Sequence, residues 1–308
     1  MRRTRLTTVV ALLALVGTPS LLASRQETTF KSRVEAVRLD VSVTRGGRPV
    51  GGLTAADFAV SDNNVPQQVA VQVDPLPLSV LLVLDTSGSV EGERLSHLVK
   101  AVSELVTSLH AGDRAALITF SGDVMVRVPL TTTGEQLTSI LNSLVARGQT
   151  AIRDAVFTAL QLTPEDDSRP LVLVFSDGRD NASWLSISDT LTAARRAGVV
   201  IHAVTVAEEK RADLVQPGSP APSVQRDTAS TFIERLVDAT GGRQWQAAAS
   251  ADLRPLLMRA LDEMRARYLL TFYPENVKRE GWHDLKVTLK RTSGDVTTRP
   301  GYFVPSPN

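Results

Sequence analysis

Two carboxylates and three hydroxyls stand at positions where they could share one metal ion. The apolar run VLLVL is followed at once by Asp85, and then by Ser87 and Ser89. Thr150 directly precedes the amphipathic segment AIRDAVFTALQL, at the N-cap position of a predicted helix. Asp177 closes a second apolar run, LVLVFS. Short continuous apolar runs are typical of strands buried on both faces, as in a parallel sheet.

The chemistry of this set favours ion-bridged binding. Parallel strands deliver their carboxyl ends to one edge of a sheet, where α/β folds bind ligands, so all five side chains are expected there. They supply only oxygen atoms, which suits a hard divalent ion such as Mg²⁺, with Mn²⁺ or Ca²⁺ as alternatives. Hydroxyls are weak ligands, which leaves a coordination position for an outside oxygen. We expect that oxygen to be a carboxylate of a protein partner.

Three members of the set also have an ordinary interpretation. Ser87 and Ser89 could serve only as turn or helix-capping residues, and Asp177 with Gly178 could form a simple turn. Their joint occurrence at strand ends favours the metal site. Two other functions stay open: a structural ion in an envelope protein, and metal-assisted hydrolysis. The sequence offers no general base apart from the predicted ligands, so we predict that the protein is not an enzyme.

Four further residues lie near the predicted ligands in the sequence: Asp154, Glu91, Glu93 and Trp184. Asp154 lies one helical turn after Thr150 and is predicted to face the helix surface or to position a ligand. Glu91 and Glu93 could serve a neighbouring ion, but the helix dipole favours acids in a first turn, and we prefer that explanation. Trp184 would be a natural contact anchor if it lay on the rim of the site. Packing beneath the loop is the alternative.

The middle of the sequence alternates strand and helix patterns, whereas both ends carry strands alone. Alternating β and α units predict an α/β fold with a doubly wound, mostly parallel sheet covered by helices on both faces. Apolar residues alternate with polar ones in VRLDVSVT and again in DLKVTLK. Neither end has enough strands for a core, so we expect the N- and C-terminal strands to form one small β-sandwich. Residues 208–230 are polar and proline-bearing, which predicts a long surface loop.

Composition excludes several classes of protein. The 308 residues include no cysteine and carry a formal net charge of +1. A disulfide scaffold, a thiolate metal site and a cysteine nucleophile are therefore excluded, and nothing indicates binding to nucleic acid. Residues 1–24 have three arginines, an apolar core and then small residues, the layout of a secretory signal peptide. We expect export to the periplasm, cell surface or medium with no membrane span in the mature chain; an uncleaved anchor is the alternative.

Three segments resemble the loops of the metal-ion-dependent adhesion site in von Willebrand factor type A domains: DTSGSV, GQTAIRDA and FSDGRDN. The resemblance implies a Rossmann-like domain over residues 77–267. It also implies that the hydroxyls bind the ion directly and the Asp groups partly through water; the implied ligands are Asp85, Ser87, Ser89, Thr150 and Asp177. Gln149 departs from the Gly-Gly-Thr that the family often has, which bears on partner affinity.

The flanking segments resemble the ends of a bacterial, exported von Willebrand A-related family, a looser likeness that implies no biochemical activity. Together these patterns predict four segments. They are a signal peptide at 1–24, an N-terminal β segment at 30–76, the α/β domain at 77–267 and a C-terminal β segment at 268–308 that pairs with the N-terminal one.

Overall fold

Strands and helices alternate in the middle of the chain, and strands without long helices occupy the two ends of its described part. The computed structural model describes residues 36–72, 75–131, 134–176, 180–206, 223–278 and 280–306. The strands are β1 (Val37–Arg45), β2 (Arg48–Pro49), β3 (Phe58–Asp62), β4 (Val65–Gln67), β5 (Ala70–Val71), β6 (Leu78–Asp85), β7 (Arg114–Phe120), β8 (Val124–Thr131), β9 (Arg169–Ser176), β10 (Val200–Val206), β11 (Gln244–Ala247), β12 (Tyr268–Phe272), β13 (Gly281–Leu289), β14 (Asp295–Thr297) and β15 (Gly301–Val304). The helices are α1 (Glu93–Thr107), α2 (Gly134–Leu141), α3 (Ile152–Gln161), α4 (Ile187–Ala197), α5 (Ser223–Thr240) and α6 (Leu253–Arg265).

A six-stranded sheet with the order β11-β10-β9-β6-β7-β8 forms the centre of the α/β part. All its strand pairs are parallel except β7 with β8 at one edge. Every residue of β6 is buried, because strands flank it and helices cover both faces. Apolar side chains of α1, α2 and α6 pack on one face, and those of α3, α4 and α5 pack on the other. The predicted fold class is confirmed.

The strands at the two ends of the chain form a β-sandwich, as the fold class predicted. One sheet has the order β14-β1-β12-β5, with β2 added to β1, and the other has the order β15-β13-β3-β4. Thus β1 from the N-terminal side pairs with β12, and β3 pairs with β13. Their inward side chains, including Leu39, Phe58 and Phe272, make a separate core. The turn between β3 and β4 uses Asn63 and Asn64 at positive φ, a conformation that asparagine tolerates.

The sandwich is attached at the edge of the sheet where the parallel strands begin. Arg169, the first residue of β9, is paired with Asp40 of β1 and also donates to the carbonyls of Met264 and Arg267. Gly241 permits the close approach of the backbone around Arg299, since a Cβ there would lie 2.3 Å from the Arg299 nitrogen. β6 runs from this edge to Asp85, so roughly 20 Å separates the attachment from the opposite edge.

Several local expectations were wrong. Helix α3 begins at Ile152 with Ala151 as its N-cap, so Thr150 precedes the cap. Residues 223–230 have helical backbone at the start of α5, which makes the predicted loop shorter; residues 208–222 lie outside the described part. Strand β11 was not predicted, because its four residues QWQA are too few to give a clear periodic signal, and it pairs only with β10 at the sheet edge.

Residues 1–35, which contain the predicted signal peptide, also lie outside the described residues, so export remains a prediction. Within the described ranges, no helix has the length and apolar character needed to cross a membrane.

Candidate metal centre

The carboxyl edge of the central sheet gathers the loops that carry the predicted ligands. Asp85 is the last residue of β6, and Ser87 and Ser89 follow in a short turn towards α1. Thr150 lies just before α3. Asp177 comes directly after β9, whose end lies at the same edge, but it falls outside the described residues. Four of the five predicted ligands are thus placed at this edge, and the role of Asp177 stays a prediction.

The carboxylate of Asp85 is fully buried and held in one orientation. Its Oδ1 accepts the backbone N–H of Ser87 at 2.8 Å, and its Oδ2 accepts the hydroxyl of Ser176 at 2.8 Å. Ser176 is the last residue of the neighbouring strand β9 and is itself buried. Sequence reasoning missed Ser176; the available signal was its place beside Asp177 at a strand end.

The two serine hydroxyls of the first loop converge. The Oγ atoms of Ser87 and Ser89 lie 2.9 Å apart, and Ser87 is buried whereas Ser89 is partly exposed. The extended Ser87 and the short helical turn at Gly88–Val90 bring these alternate side chains together. Arg94 from α1 donates to the Ser89 carbonyl at 3.2 Å, which ties the turn to the following helix. The arrangement presents two hydroxyl oxygens on one side of the loop.

The loop that leads to Thr150 is bonded directly to the first loop. Arg147 donates its backbone N–H to the Thr86 carbonyl at 2.8 Å, and the Gly88 N–H donates to the Gly148 carbonyl at 3.0 Å. Gly148 has φ +82°, which glycine adopts without strain. The side chain of Gln149 is exposed and makes no hydrogen bond to another described residue. The presence of Gln149, where the resembling domains often have glycine, therefore does not crowd the two loops.

Backbone and side-chain hydrogen bonds hold Thr150 to the loop between β9 and α4, which is the third loop of the candidate site. Its N–H donates to Oδ1 of Asn181 at 2.8 Å, and its carbonyl accepts the N–H groups of Asn181 and Ala182, both at 3.0 Å. Thr150 is 4% exposed. Asn181 was not among the predicted site residues, although asparagine in a loop commonly accepts backbone N–H groups.

Side chains of the third loop and of α3 bind each other's backbone. Asp180 and the Ser183 hydroxyl both accept the N–H of Arg153, each at 3.1 Å. In return, the Asp154 carboxylate accepts the N–H groups of Trp184 at 2.9 Å and Leu185 at 3.0 Å. Asp154 therefore holds this loop against α3.

Trp184 is 95% exposed, which excludes the alternative of packing beneath the loop.

Glu93 is the first residue of α1, the position that the helix dipole favours for an acid. Glu91 and Glu93 are both exposed.

The donors at this edge fit a hard divalent cation better than a softer metal. Within the described ranges, no three His, Cys, Asp or Glu residues are grouped so that they could hold an ion. A metal site at this edge that includes Asp85 would therefore draw on the neighbouring hydroxyls of Ser87 and Ser89. Carboxylate and hydroxyl oxygens suit Mg²⁺ or Mn²⁺, and no nitrogen or sulfur donor is involved.

Comparison with known proteins bears on the same segment. Residues 80–179 match the model of the von Willebrand factor type A domain, and the match includes all five predicted ligands. The von Willebrand factor type A structure from Catenulispora acidiphila superposes with a TM-score of 0.50 at 12% identity, covering 85% of this chain and 76% of that one. At that identity the likeness concerns the fold alone.

Two curated relatives are each similar to part of the chain. The UPF0353 protein of Mycobacterium bovis (strain BCG / Pasteur 1173P2) is 28% identical over 195 residues, 57% of each chain. Inter-alpha-trypsin inhibitor heavy chain H4 of Sus scrofa is 31% identical over 142 residues, which are 45% of this chain and 14% of that protein. The match thus spans just over half the length of the mycobacterial relative.

Proposed function

We propose, from the premise that this chain contains a von Willebrand factor type A domain, that it is an exported, non-catalytic binding module. A Mg²⁺ ion held by oxygen atoms at the carboxyl edge of the sheet would accept a carboxylate of a partner protein. The proposed ligands are Asp85, Ser87, Ser89, Thr150 and Asp177. Export depends on the predicted signal at residues 1–24.

The observation that carries this proposal is the arrangement around Asp85. A buried carboxylate with both oxygens in hydrogen bonds lies two residues from a pair of hydroxyls that are 2.9 Å apart. Burying a carboxylate costs free energy unless its charge is paired and hydrogen-bonded. A cation bound beside Asp85 would pair with that charge, and it would also account for the convergence of the hydroxyl oxygens.

The rest of the site supplies rigidity. Backbone hydrogen bonds join the Ser87–Ser89 turn to the 147–148 loop, and join Thr150 to Asn181. Such cross-links keep ligand oxygens at fixed separations before an ion arrives, which reduces the entropy lost on binding. With few charged ligands, a bound divalent cation keeps a net positive field, which favours an anionic group from a partner.

The test is a calorimetric titration of the full chain with Mg²⁺ and with Mn²⁺. Asp85→Asn keeps the side-chain shape and removes the charge, and Asp123→Asn is the matched control, because Asp123 is an exposed acid outside the ligand set near the same edge. We expect saturable binding by the parent chain and the control, and none by Asp85→Asn. Equal binding by all three would refute the site.

A structural ion is the second candidate, favoured by the low exposure of Ser87 and Thr150, 1% and 4%. In that case Mg²⁺ would raise the melting temperature, but acetate or acidic peptides would not compete with water for the ion. The enhancement of water-proton relaxation by bound Mn²⁺ distinguishes partner binding from a structural ion. A relaxation enhancement that falls on adding acetate indicates an open coordination position, and an unchanged enhancement indicates a closed structural site.

A further inference from the structure

Large exposed apolar side chains are concentrated at the edge that carries the candidate metal centre. Among the described residues they are Met125, Val126, Val145, Trp184 and Tyr273. On β8, Met125 pairs with Thr119 and Val126 with Ile118, within two residues of the carboxyl end of β7. Val145 lies two residues before Arg147, whose N–H binds the Thr86 carbonyl. Only Tyr273 belongs to the sandwich region.

Trp184 is both the most exposed of these side chains and part of a firmly held loop. Its backbone N–H donates to Asp154 of α3, and Asn181, three residues earlier, is bonded to Thr150. Three residues of chain span at most about 11 Å, so the Trp184 backbone lies within that distance of Asn181. The backbone that carries the indole is thus close to the backbone of Thr150, a predicted metal ligand.

An indole in this state contributes little to the stability of its own domain. At 95% exposure it buries almost no apolar area, and its backbone bond to Asp154 would be available to any residue except proline. Large exposed aromatics held on rigid segments are characteristic of protein-binding surfaces, because they bury much area on contact and lose few rotamers. We therefore assign the exposed Trp184 side chain to contact with a protein partner.

We infer that the partner of this site presents a bulky apolar side chain next to its acidic residue, and that Trp184 is the contact for that side chain. This inference rests on the proposed function, because the acidic residue is placed by the bound cation. The partner is a protein segment in which Asp or Glu neighbours a residue such as Leu, Phe or Trp. Trp184 then determines specificity, while the ion supplies the attachment point.

Two sets of synthetic peptides test the inference. In both, a central Asp stands in an uncharged hexapeptide frame; in one set its neighbours are Leu, Phe or Trp, and in the other they are Ser or Gly. The full chain is applied to both sets on an array, in Mg²⁺ and in EDTA. Peptides that bind are then measured by fluorescence anisotropy against Trp184→Ser and Tyr273→Ser. Tyr273→Ser is the matched control, since Tyr273 is 61% exposed but lies after β12 of the sandwich.

We expect the apolar set to bind in Mg²⁺ at least tenfold more tightly than the Ser/Gly set. Trp184→Ser should abolish that preference, with Tyr273→Ser unchanged. Equal Mg²⁺-dependent binding of both sets, unaffected by Trp184→Ser, would overturn the inference and leave the proposed function intact. No Mg²⁺-dependent binding by either set would count against both. Binding to phosphatidylcholine vesicles in EDTA that is lost in Trp184→Ser would assign the indole to a membrane surface and also overturn it.

Discussion

Thr150 and Asn181 are joined in both directions: the Thr150 N–H donates to Oδ1 of Asn181 at 2.8 Å, and the Asn181 N–H donates to the Thr150 carbonyl at 3.0 Å. Thr150 comes before α3, and Asn181 comes after β9. The reciprocal bonds therefore hold two loops of the candidate metal centre together. Because Thr150 is a predicted ligand, Asn181 fixes where the Thr150 hydroxyl can lie.

Replacing Asn181 should weaken ion binding without unfolding the domain. Asn181→Ala removes the acceptor of the Thr150 N–H, and groups that orient metal ligands contribute about 10- to 100-fold in affinity. We expect the Kd for Mg²⁺ to rise by about tenfold or more in calorimetry. Asn142→Ala, at an exposed asparagine after α2, is the control and should bind like the parent chain. An unchanged Kd for Asn181→Ala would show that Thr150 is positioned without it.

Ser176 should act through Asp85. Ser176→Ala removes the hydroxyl that donates to Asp85 Oδ2 at 2.8 Å, so the carboxylate loses one of its orienting contacts. We expect Mg²⁺ affinity to fall by about tenfold. Ser79→Ala is the control: Ser79 is a buried serine at the opposite end of β6, where its hydroxyl lies 2.8 Å from that of Ser168. A similar loss of affinity in both variants would indicate general destabilisation.

Removing one partner of the Asp40–Arg169 pair should destabilise the protein strongly. Arg169 is buried, and Asp40→Ala would leave its charge without the carboxylate that its Nε meets at 2.8 Å. Breaking such a pair typically costs about 3–5 kcal/mol. The matched control is Asp167→Ala, because the Arg38–Asp167 pair at 3.5 Å is exposed and should contribute less than about 1 kcal/mol. Urea unfolding followed by circular dichroism measures both, and equal midpoints would contradict the prediction.

His202 should make stability fall as the solution becomes mildly acidic. It is buried, its Nδ1 accepts the Arg243 N–H at 3.0 Å, and its Nε2 lies 2.8 Å from Glu263. Burial lowers the pKa of His202 below its usual 6.5, with Arg267 and Arg243 acting in the same direction and Glu263 opposing them. The unfolded chain therefore takes up the proton more readily, so stability is lost as pH falls below about 6.5.

The comparison of urea midpoints at pH 7.5 and pH 5.5 checks this effect. Burial raises the pKa of Glu263, but hydrogen bonds from His202 and Arg267 outweigh it, and the pKa lies below its usual 4.5. The stability that the Glu263 carboxylate contributes is lost only below about pH 4.5, which is outside the range from pH 5.5 to pH 7.5. His202→Gln keeps a donor and an acceptor but does not titrate, so its midpoint should change less than that of the parent chain. An equal change in both proteins would assign the pH dependence to other groups.

Much of the fold and part of the site could be predicted because their signals are local. Continuous apolar runs before Asp85 and Asp177 indicate buried parallel strands, and alternation at the two chain ends indicates a sandwich. Parallel strands end at one edge, so the positions of Asp85, Ser87, Ser89 and Thr150 followed from their places in the sequence. Strand β11 could not be predicted because four residues are too few to establish a period. The start of α5 could not be predicted because its mostly polar sequence has no apolar residues at helical spacing.

What only the tertiary structure decided is which residues hold and surround that site. Ser176 reaches Asp85 across 91 positions of sequence, and Asn181 reaches Thr150 across 31. The backbone of Trp184 is likewise held by Asp154, which lies 30 residues away. Hydrogen bonds between distant segments leave no periodic mark on the chain, because they depend on how the strands and helices are packed. The sequence alone therefore determined the fold class and the oxygen chemistry, whereas packing decided the contacts that orient the oxygens and present the indole.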